Sequence, residues 1–170
     1  MDEKEGGVAK SDKGSPKDLH ATLSDRILKG DISSVVMASR NGKTAIDMAG
    51  KLKGVKVVSV TEFTYTDDIK KEMKKLGISF VERSELPIQD MREMRDALLI
   101  FGPGVKSAIE VTAVAAEKKL VEDKVIALAG NKRRLDTALV LRPSTALDVS
   151  NPNPSKRMSV LELLAFSNNL

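Results

Sequence analysis

The fold of this chain is decided by one stretch, VVMASRNGKTA, which occupies residues 35–45. Its apolar, β-branched start predicts a buried strand, and the pair Asn41 and Gly42 predicts a tight turn before a helix that begins near Lys43. A helix that starts directly after a buried strand offers free backbone N–H groups to an anion, and Arg40 and Lys43 add positive charge. The stretch therefore predicts a site for a phosphate-bearing ligand.

The same stretch has a second interpretation. The hydroxyl groups of Ser39 and Thr44 can donate to a phosphate, but either hydroxyl can instead cap the helix that follows. In that case the segment is an ordinary connection between a strand and a helix. Residues 35–45 alone do not decide between the two interpretations, so the rest of the chain has to.

Length and composition favour a single domain. The chain has 170 residues, 41% hydrophobic and 3% aromatic, so the core must be built mainly from aliphatic side chains. Residues 1–15 are rich in Lys, Asp, Glu and Gly and have almost nothing to bury. We therefore expect a flexible charged tail over residues 1–15 and one domain over residues 16–170.

Composition also excludes several classes of protein. The sequence contains no cysteine, which excludes disulfides and thiol catalysis and is compatible with a reducing cytoplasm. No apolar run approaches the roughly 20 residues that cross a bilayer, so we expect a cytoplasmic protein with no membrane partner. The net charge of +4 comes from 28 basic and 24 acidic residues that are interspersed, which argues against nucleic-acid binding. The compact basic cluster at residues 132–134 fits a ligand clasp or a solvated hairpin tip.

Short β-branched runs alternate with helical patterns along the chain, as in an α/β protein. The predicted helices are residues 16–29, 43–53, 66–76, 90–99 and 103–120, and the predicted strands are residues 34–38, 55–60, 78–81, 124–129 and 136–141. The last two strands are joined by a connection too short for a parallel crossover, which needs about a dozen residues, so they must be antiparallel. The apolar segment 160–166 fits a strand or a helix.

Three segments carry a resemblance to a known family. They are residues 35–45, the strand VVSVT at residues 57–61, and VIALAG at residues 125–130 followed by DTALVL at residues 136–141. In this order and spacing they resemble the stand-alone archaeal and bacterial proteins that are similar to the C-terminal α/β domain of pyruvate kinase. The resemblance covers about residues 19–170.

The resemblance implies a fold and a ligand. The fold is a three-layer α/β/α domain with a mixed five-stranded sheet in the order 3-2-1-4-5, strand 5 being antiparallel. Ligands of such sheets bind at the carboxyl ends of the strands where the order reverses. Stand-alone relatives are associated with flavin mononucleotide (FMN), and pyruvate kinases bind the phosphate of a sugar-bisphosphate effector at the turn matching residues 39–44. The implied binding residues are Ser39, Arg40, Asn41, Gly42, Lys43, Thr44, Thr61, Gly130, Asn131, Asp136 and Thr137.

The resemblance does not imply pyruvate kinase activity. That chemistry uses a lysine and metal-binding carboxylates of a separate barrel, and the match is confined to the C-terminal domain. A phosphate site alone is also insufficient for phosphoryl transfer, which needs a metal and a positioned acceptor. We therefore expect a binding domain for a phosphorylated small molecule, with no metal site and no identified catalytic residue. A flavin-dependent oxidoreductase or a small phosphotransferase working in the same cleft is the alternative.

Two further features have two interpretations each. The segment Gly102-Pro103-Gly104 can start a second anion-facing helix or serve as a plain hinge between helices. The apolar segment 160–166 can pair copies of the chain into a homo-oligomer or complete the core of one copy. Glu62 and Asp136 are the carboxylates expected near the cleft, and each can equally be an ordinary surface or turn residue.

Overall fold

The computed structural model describes residues 16–130 and 134–167, so the predicted tail lies outside the described residues. The helices are α1 (Pro16–Ile27), α2 (Lys43–Lys51), α3 (Asp67–Lys75), α4 (Arg92–Leu99) and α5 (Pro103–Glu117), with 3₁₀ turns at Pro87–Asp90 and Ala146–Asp148. The strands are β1 (Ser34–Ala38), β2 (Lys56–Val60), β3 (Ser79–Val81), β4 (Val125–Gly130), β5 (Leu135–Arg142) and β6 (Ser159–Ala165).

The strands form one mixed sheet in the order β3-β2-β1-β4-β5-β6. The first four strands in this order are parallel to their neighbours, and β5 is antiparallel to β4. The predicted α/β class, the order of the first five strands and the antiparallel fifth strand are therefore confirmed. The segment that fitted a strand or a helix forms β6, which pairs antiparallel with β5 and makes the sheet six-stranded. Leu161 and Leu163 on this edge strand are exposed, and the predicted homo-oligomer stays a prediction.

The central strands are apolar on both faces because helices cover both faces of the sheet. Val36 and Val58 pack on one side, in a core shared with α4 and α5. Val35, Met37 and Val57 pack on the other side, in a core shared with α1, α2 and α3. Successive side chains along each strand thus pack alternately into two separate cores, one on each face of the sheet. The predicted three-layer arrangement is confirmed.

A buried arginine connects α1 to the edge strand β6. Arg26 donates from Nη1 to Asp31 Oδ1 at 2.6 Å and from Nη2 to Glu162 Oε2 at 2.8 Å. Lys124 donates to the second oxygen of Asp31 at 2.8 Å. The bonds from Arg26, and then those from Lys124, hold the pKa of the Asp31 carboxyl well below its usual range, and Arg26 also lowers the pKa of Glu162. These ion pairs join α1 to β6 and to the segment before β4.

Replacing Asp31 by Asn is expected to lower the free energy of unfolding at neutral pH, because Arg26 and Lys124 lose a charged acceptor. A carboxyl group with a lowered pKa stabilises the fold above its ordinary pKa, and this contribution is lost progressively as the pH falls below about 5. Urea unfolding over a pH series should therefore show a constant difference between parent and variant above about pH 5, and a shrinking difference below it. A difference that persists undiminished into strong acid would contradict this role. Asp47→Asn, which removes an exposed pair with Lys51, is the control.

The turn before α2 depends on Gly42. Its φ of 86° lies in the left-handed region that favours glycine. A Cβ atom at this position would lie 2.6 Å from Ile69 Cγ2 and 2.7 Å from Met73 Cε, both on α3. Conformation and packing therefore both require glycine here, and this requirement fixes where α2 begins.

Gly42→Ala is expected to lower the free energy of unfolding by at least about 1–2 kcal/mol, the usual cost of the left-handed conformation for a residue with a Cβ atom. Gly50→Ala is the matched control, because Gly50 lies within α2 and has open space around its Cβ position. We expect that change to raise stability by about 0.5–1 kcal/mol. Chemical unfolding of both variants measures the difference, and equal effects of the two changes would show that the turn does not need glycine.

Candidate functional site

A cavity of about 630 Å³ lies at the carboxyl ends of β1, β2 and β4. Ser39 after β1, Thr61 after β2 and Gly130 at the end of β4 line it, and residues of α5 form its opposite wall. This is where the strand order reverses, because β2 and β4 flank β1 on opposite sides. The volume falls within the roughly 300–1,000 Å³ that small-molecule sites occupy.

The predicted binding residues divide into those that line this cavity and those that do not. Lining it are Ser39, Arg40, Asn41, Thr44, Thr61 and Gly130. Outside the lining lie Gly42, Lys43, Asp136 and Thr137, and Asn131 is outside the described residues. The turn between β1 and α2 therefore supplies most of the predicted residues that the fold brings together.

Ser39 carries a buried hydroxyl without a partner. The residue is 5% exposed, and its Oγ is the one buried side-chain oxygen or nitrogen that lacks a hydrogen-bond partner among the described residues. Its backbone is fully engaged, since its N–H donates to Val60 O at 3.1 Å and its carbonyl accepts from the Tyr65 hydroxyl at 2.8 Å. Leaving a buried polar group unpaired costs about 1–3 kcal/mol. An unpaired hydroxyl in a cavity wall is a feature expected of a binding site.

Tyr65 holds the backbone of this turn, and sequence reasoning missed it. Its hydroxyl lies 2.7 Å from Ser59 Oγ and donates to the carbonyl of Ser39. Burial raises the pKa of Tyr65 to about 12, the hydroxyl of Ser59 opposes that rise, and the charge of Glu82 adds to it. The sequence signal for its importance was that it is the one tyrosine in a chain poor in aromatic residues. That its hydroxyl would bind the carbonyl of Ser39 could not be predicted from the sequence.

The titration of Tyr65 can be observed directly, because the sequence contains one tyrosine and no tryptophan. We expect the tyrosinate absorbance of the folded protein to rise with a midpoint near 12, well above the value of about 10 for a free side chain. A raised pKa in the folded state means that stability is intact below about pH 10 and is lost as the pH rises toward 12. Unfolded protein in denaturant provides the reference. A midpoint near 10 under native conditions would contradict the buried position of the hydroxyl.

The N-terminus of α2 presents backbone donors without acceptors. Asn41 Oδ1 accepts the N–H of Lys43 at 3.1 Å, which closes the turn with a side chain. Within the described residues, the N–H groups of Thr44 and Ala45 have no acceptor, and the first turn of α2 carries no acidic side chain. The interpretation in which Ser39 or Thr44 caps α2 does not describe this turn, because neither hydroxyl accepts from its amides. The helix end therefore keeps its partial positive charge.

Thr61 uses its hydroxyl within the protein. Its Oγ1 donates to the carbonyl of Arg40 at 3.0 Å and accepts the N–H of Phe63 at 3.1 Å. The guanidinium of Arg40 lies over the ring of Phe63, with Cζ 4.5 Å from the ring centroid. The fold gives the hydroxyl of Thr61 two backbone partners, and the predicted contact of Thr61 with a ligand stays a prediction. Phe63, which lines the cavity beside Arg40, was missed.

The wall formed by α5 contains a buried ion pair. Glu110 is fully buried, and its carboxylate accepts from Lys106 Nζ at 2.9 Å and from the N–H of Gln89 at 2.8 Å. Lys106 also donates to the side-chain oxygen of Gln89 at 2.7 Å. Because the two charges compensate each other, this wall adds little net charge to the cavity. Opposite charges four residues apart among apolar neighbours were the signal for this pair in the sequence.

Residues near the β4–β5 hairpin serve packing. The Cβ position of Gly130 is filled by the backbone of Arg134 and Leu135, so the hairpin needs glycine there. Thr137 is fully buried and donates to Asp136 Oδ1 at 2.9 Å. Both side chains lie against Gly104, in the first turn of α5, and Thr137 is so close that a Cβ atom could not be added there. The start of α5 thus packs on β5 and does not line the cavity.

Charged residues of two kinds complete the lining. Arg134 is the member of the predicted basic cluster that lies within the described residues, and it lines the cavity. Glu62 lines the cavity as well and is exposed.

The described residues contain no group of three or more acidic or histidine side chains placed to hold a metal ion. None of the described helices has the length and apolar character needed to span a membrane.

Comparison with known proteins shows a distant similarity of fold. No family model matches the chain. Among solved structures, the fold is similar to Cryptosporidium parvum pyruvate kinase in complex with ADP, at 15% sequence identity and a TM-score of 0.42. The match covers 89% of this chain and 24% of that chain, so this chain spans about a quarter of the length of that protein. At this level of similarity nothing about ligand or activity is transferred.

Proposed function

We propose that the cavity at the carboxyl ends of the strands binds a phosphorylated small molecule, with its phosphate at residues 39–44. The observation that carries this proposal is the hydroxyl of Ser39, which is buried in the cavity wall without a partner. It lies in the connection that leads from β1 to the free amides of α2. A phosphate accepts several hydrogen bonds at once, which matches donors that the protein leaves unused.

The charges around the cavity support an anionic ligand. Arg40 and Arg134 line the cavity, and the exposed Lys43 is the first residue of α2. The carboxylate of Glu110 is compensated by Lys106. Glu62 is the exposed carboxylate in the lining, so the two arginines leave the lining net positive, and the free amides of α2 add partial positive charge.

FMN is the ligand that we propose first. The resemblance to proteins associated with FMN suggests it, and the cavity combines phosphate donors with apolar residues and an aromatic ring at Phe63. Ser39 and Thr44 would hold the phosphate, and the remaining lining would take the flavin ring. A bound flavin supplies redox chemistry, and the residues of this chain bind and orient it. Catalysis by an oxidoreductase or a phosphotransferase in this cavity stays a prediction.

Thr44→Val is expected to weaken FMN binding about 10- to 100-fold, because a hydrogen bond to a charged group contributes about 1.5–3 kcal/mol. Riboflavin, which lacks the phosphate, should bind the parent more weakly than FMN and should be insensitive to this change. Fluorescence titration of the flavin measures both affinities. Lys53→Ala, an exposed change beyond the other end of α2, is the control. Equal binding of FMN and riboflavin by the parent would show that residues 39–44 do not hold the phosphate.

Ser39→Ala separates binding from stability. Removing an unpaired buried hydroxyl is expected to raise the free energy of unfolding of the ligand-free protein by about 1 kcal/mol or leave it unchanged. The same change should weaken FMN binding, because the ligand loses a donor. Chemical unfolding and flavin titration on one preparation give both values. A variant that loses stability and keeps its affinity would identify Ser39 as a purely structural residue.

A further inference from the structure

We propose that Arg40 and Phe63 form a stacking platform for a planar conjugated ring of the ligand, and that Thr61 is the residue that positions this platform. The inference rests on the proposed function and narrows it to phosphate esters that carry such a ring. Flavins and nucleobases share this chemistry.

The platform is already assembled. The guanidinium of Arg40 lies over the Phe63 ring at 4.5 Å from its centroid, and both residues line the cavity. Phe63 is 46% exposed and lines the cavity, so part of its side chain is open to a ligand there. A guanidinium plane and a phenyl ring both accept stacked conjugated rings, and each such contact contributes without any need for base-specific hydrogen bonds.

Thr61 holds both halves of the platform through their backbones. One hydroxyl donates to the carbonyl of Arg40 at 3.0 Å and accepts the N–H of Phe63 at 3.1 Å. The turn after β1 and the turn after β2 are thereby joined by a buried side chain. Thr61 therefore acts through Arg40 and Phe63, and its hydroxyl has no donor left for a ligand.

The position of the platform selects the class of ligand. Arg40 lies between Ser39 and the start of α2, so a ring on the platform is adjacent to the proposed phosphate site. Among the described residues, Phe63 is the aromatic side chain that lines the cavity. A phosphate ester without a ring would leave this apolar surface uncovered, whereas FMN or a nucleoside monophosphate would cover it.

Phe63→Leu tests the platform, with FMN, riboflavin and ribose 5-phosphate as probes in calorimetric titrations. We expect FMN and riboflavin to bind about tenfold more weakly to the variant, in line with the loss of one stacked ring. Binding of ribose 5-phosphate, which has no ring, should be unchanged. Phe101→Leu is the matched control, because Phe101 is 47% exposed and lies outside the cavity lining.

Thr61→Val and Thr61→Ser test the positioning role. Valine removes the hydroxyl at nearly constant volume, and we expect about a fivefold or larger loss of FMN affinity with the affinity for ribose 5-phosphate preserved. Serine keeps the hydroxyl and should restore FMN binding to within about twofold of the parent. Failure of serine to restore binding in a folded variant would overturn the role of the hydroxyl.

The outcomes separate the platform from the phosphate site. If ribose 5-phosphate binds but FMN binds no more tightly, or if Phe63→Leu weakens both equally, the platform is wrong and the phosphate site stands. If riboflavin binds as tightly as FMN and both depend on Phe63, the platform stands and the phosphate site is wrong. Adenosine 5′-monophosphate that binds more tightly than FMN and depends on Phe63 would support the platform with a nucleobase as its ring. If none of these probes binds, both proposals are wrong.

Discussion

The hydrogen bond from the Tyr65 hydroxyl to the carbonyl of Ser39 is the interaction on which the cavity depends. It fixes the chain at the point where it leaves β1, and a second bond, from Thr61 to the carbonyl of Arg40, fixes the next residue. With two successive carbonyls held, the path to Gly42 and the start of α2 is determined. Ser39, Arg40, Asn41 and Thr44 of this segment then line the cavity.

In the turn after β1, the backbone of Ser39 has hydrogen-bond partners and its side chain has none. The backbone N–H and C=O of Ser39 both have partners, yet its hydroxyl has none. In the opposite wall the buried side chains do have partners, because the charges of Lys106 and Glu110 are paired with each other and with Gln89. Positions that lower the stability of a fold tend to be functional. The unpaired hydroxyl of Ser39 is such a position, and it lies in the connection between β1 and α2.

Sequence reasoning reached the strands and the turn at residues 39–44, because the hydrophobic period and the placement of glycine depend directly on local structure. The order of the strands was implied by the family resemblance. Thr61 was assigned to the ligand because it lies at the end of a strand, and Asp136 and Thr137 were assigned through the family resemblance. Whether a side chain at such a position faces a cavity or a neighbouring helix depends on packing. Thr137 and Asp136 meet Gly104 of α5, and that contact joins segments distant in the sequence. Phe63 and Glu110 were missed for the same reason.

The sequence by itself determined the α/β class, the antiparallel β5 and the need for glycine where α2 begins. These depend on the hydrophobic period, on the length of a connection and on a backbone angle that few residues adopt. Tertiary structure alone decided that residues 159–165 form a sixth strand, that Thr61 bridges two turns, and that Phe63 stacks under Arg40. Each of these is a contact between segments whose proximity follows only from how the sheet and its helices pack.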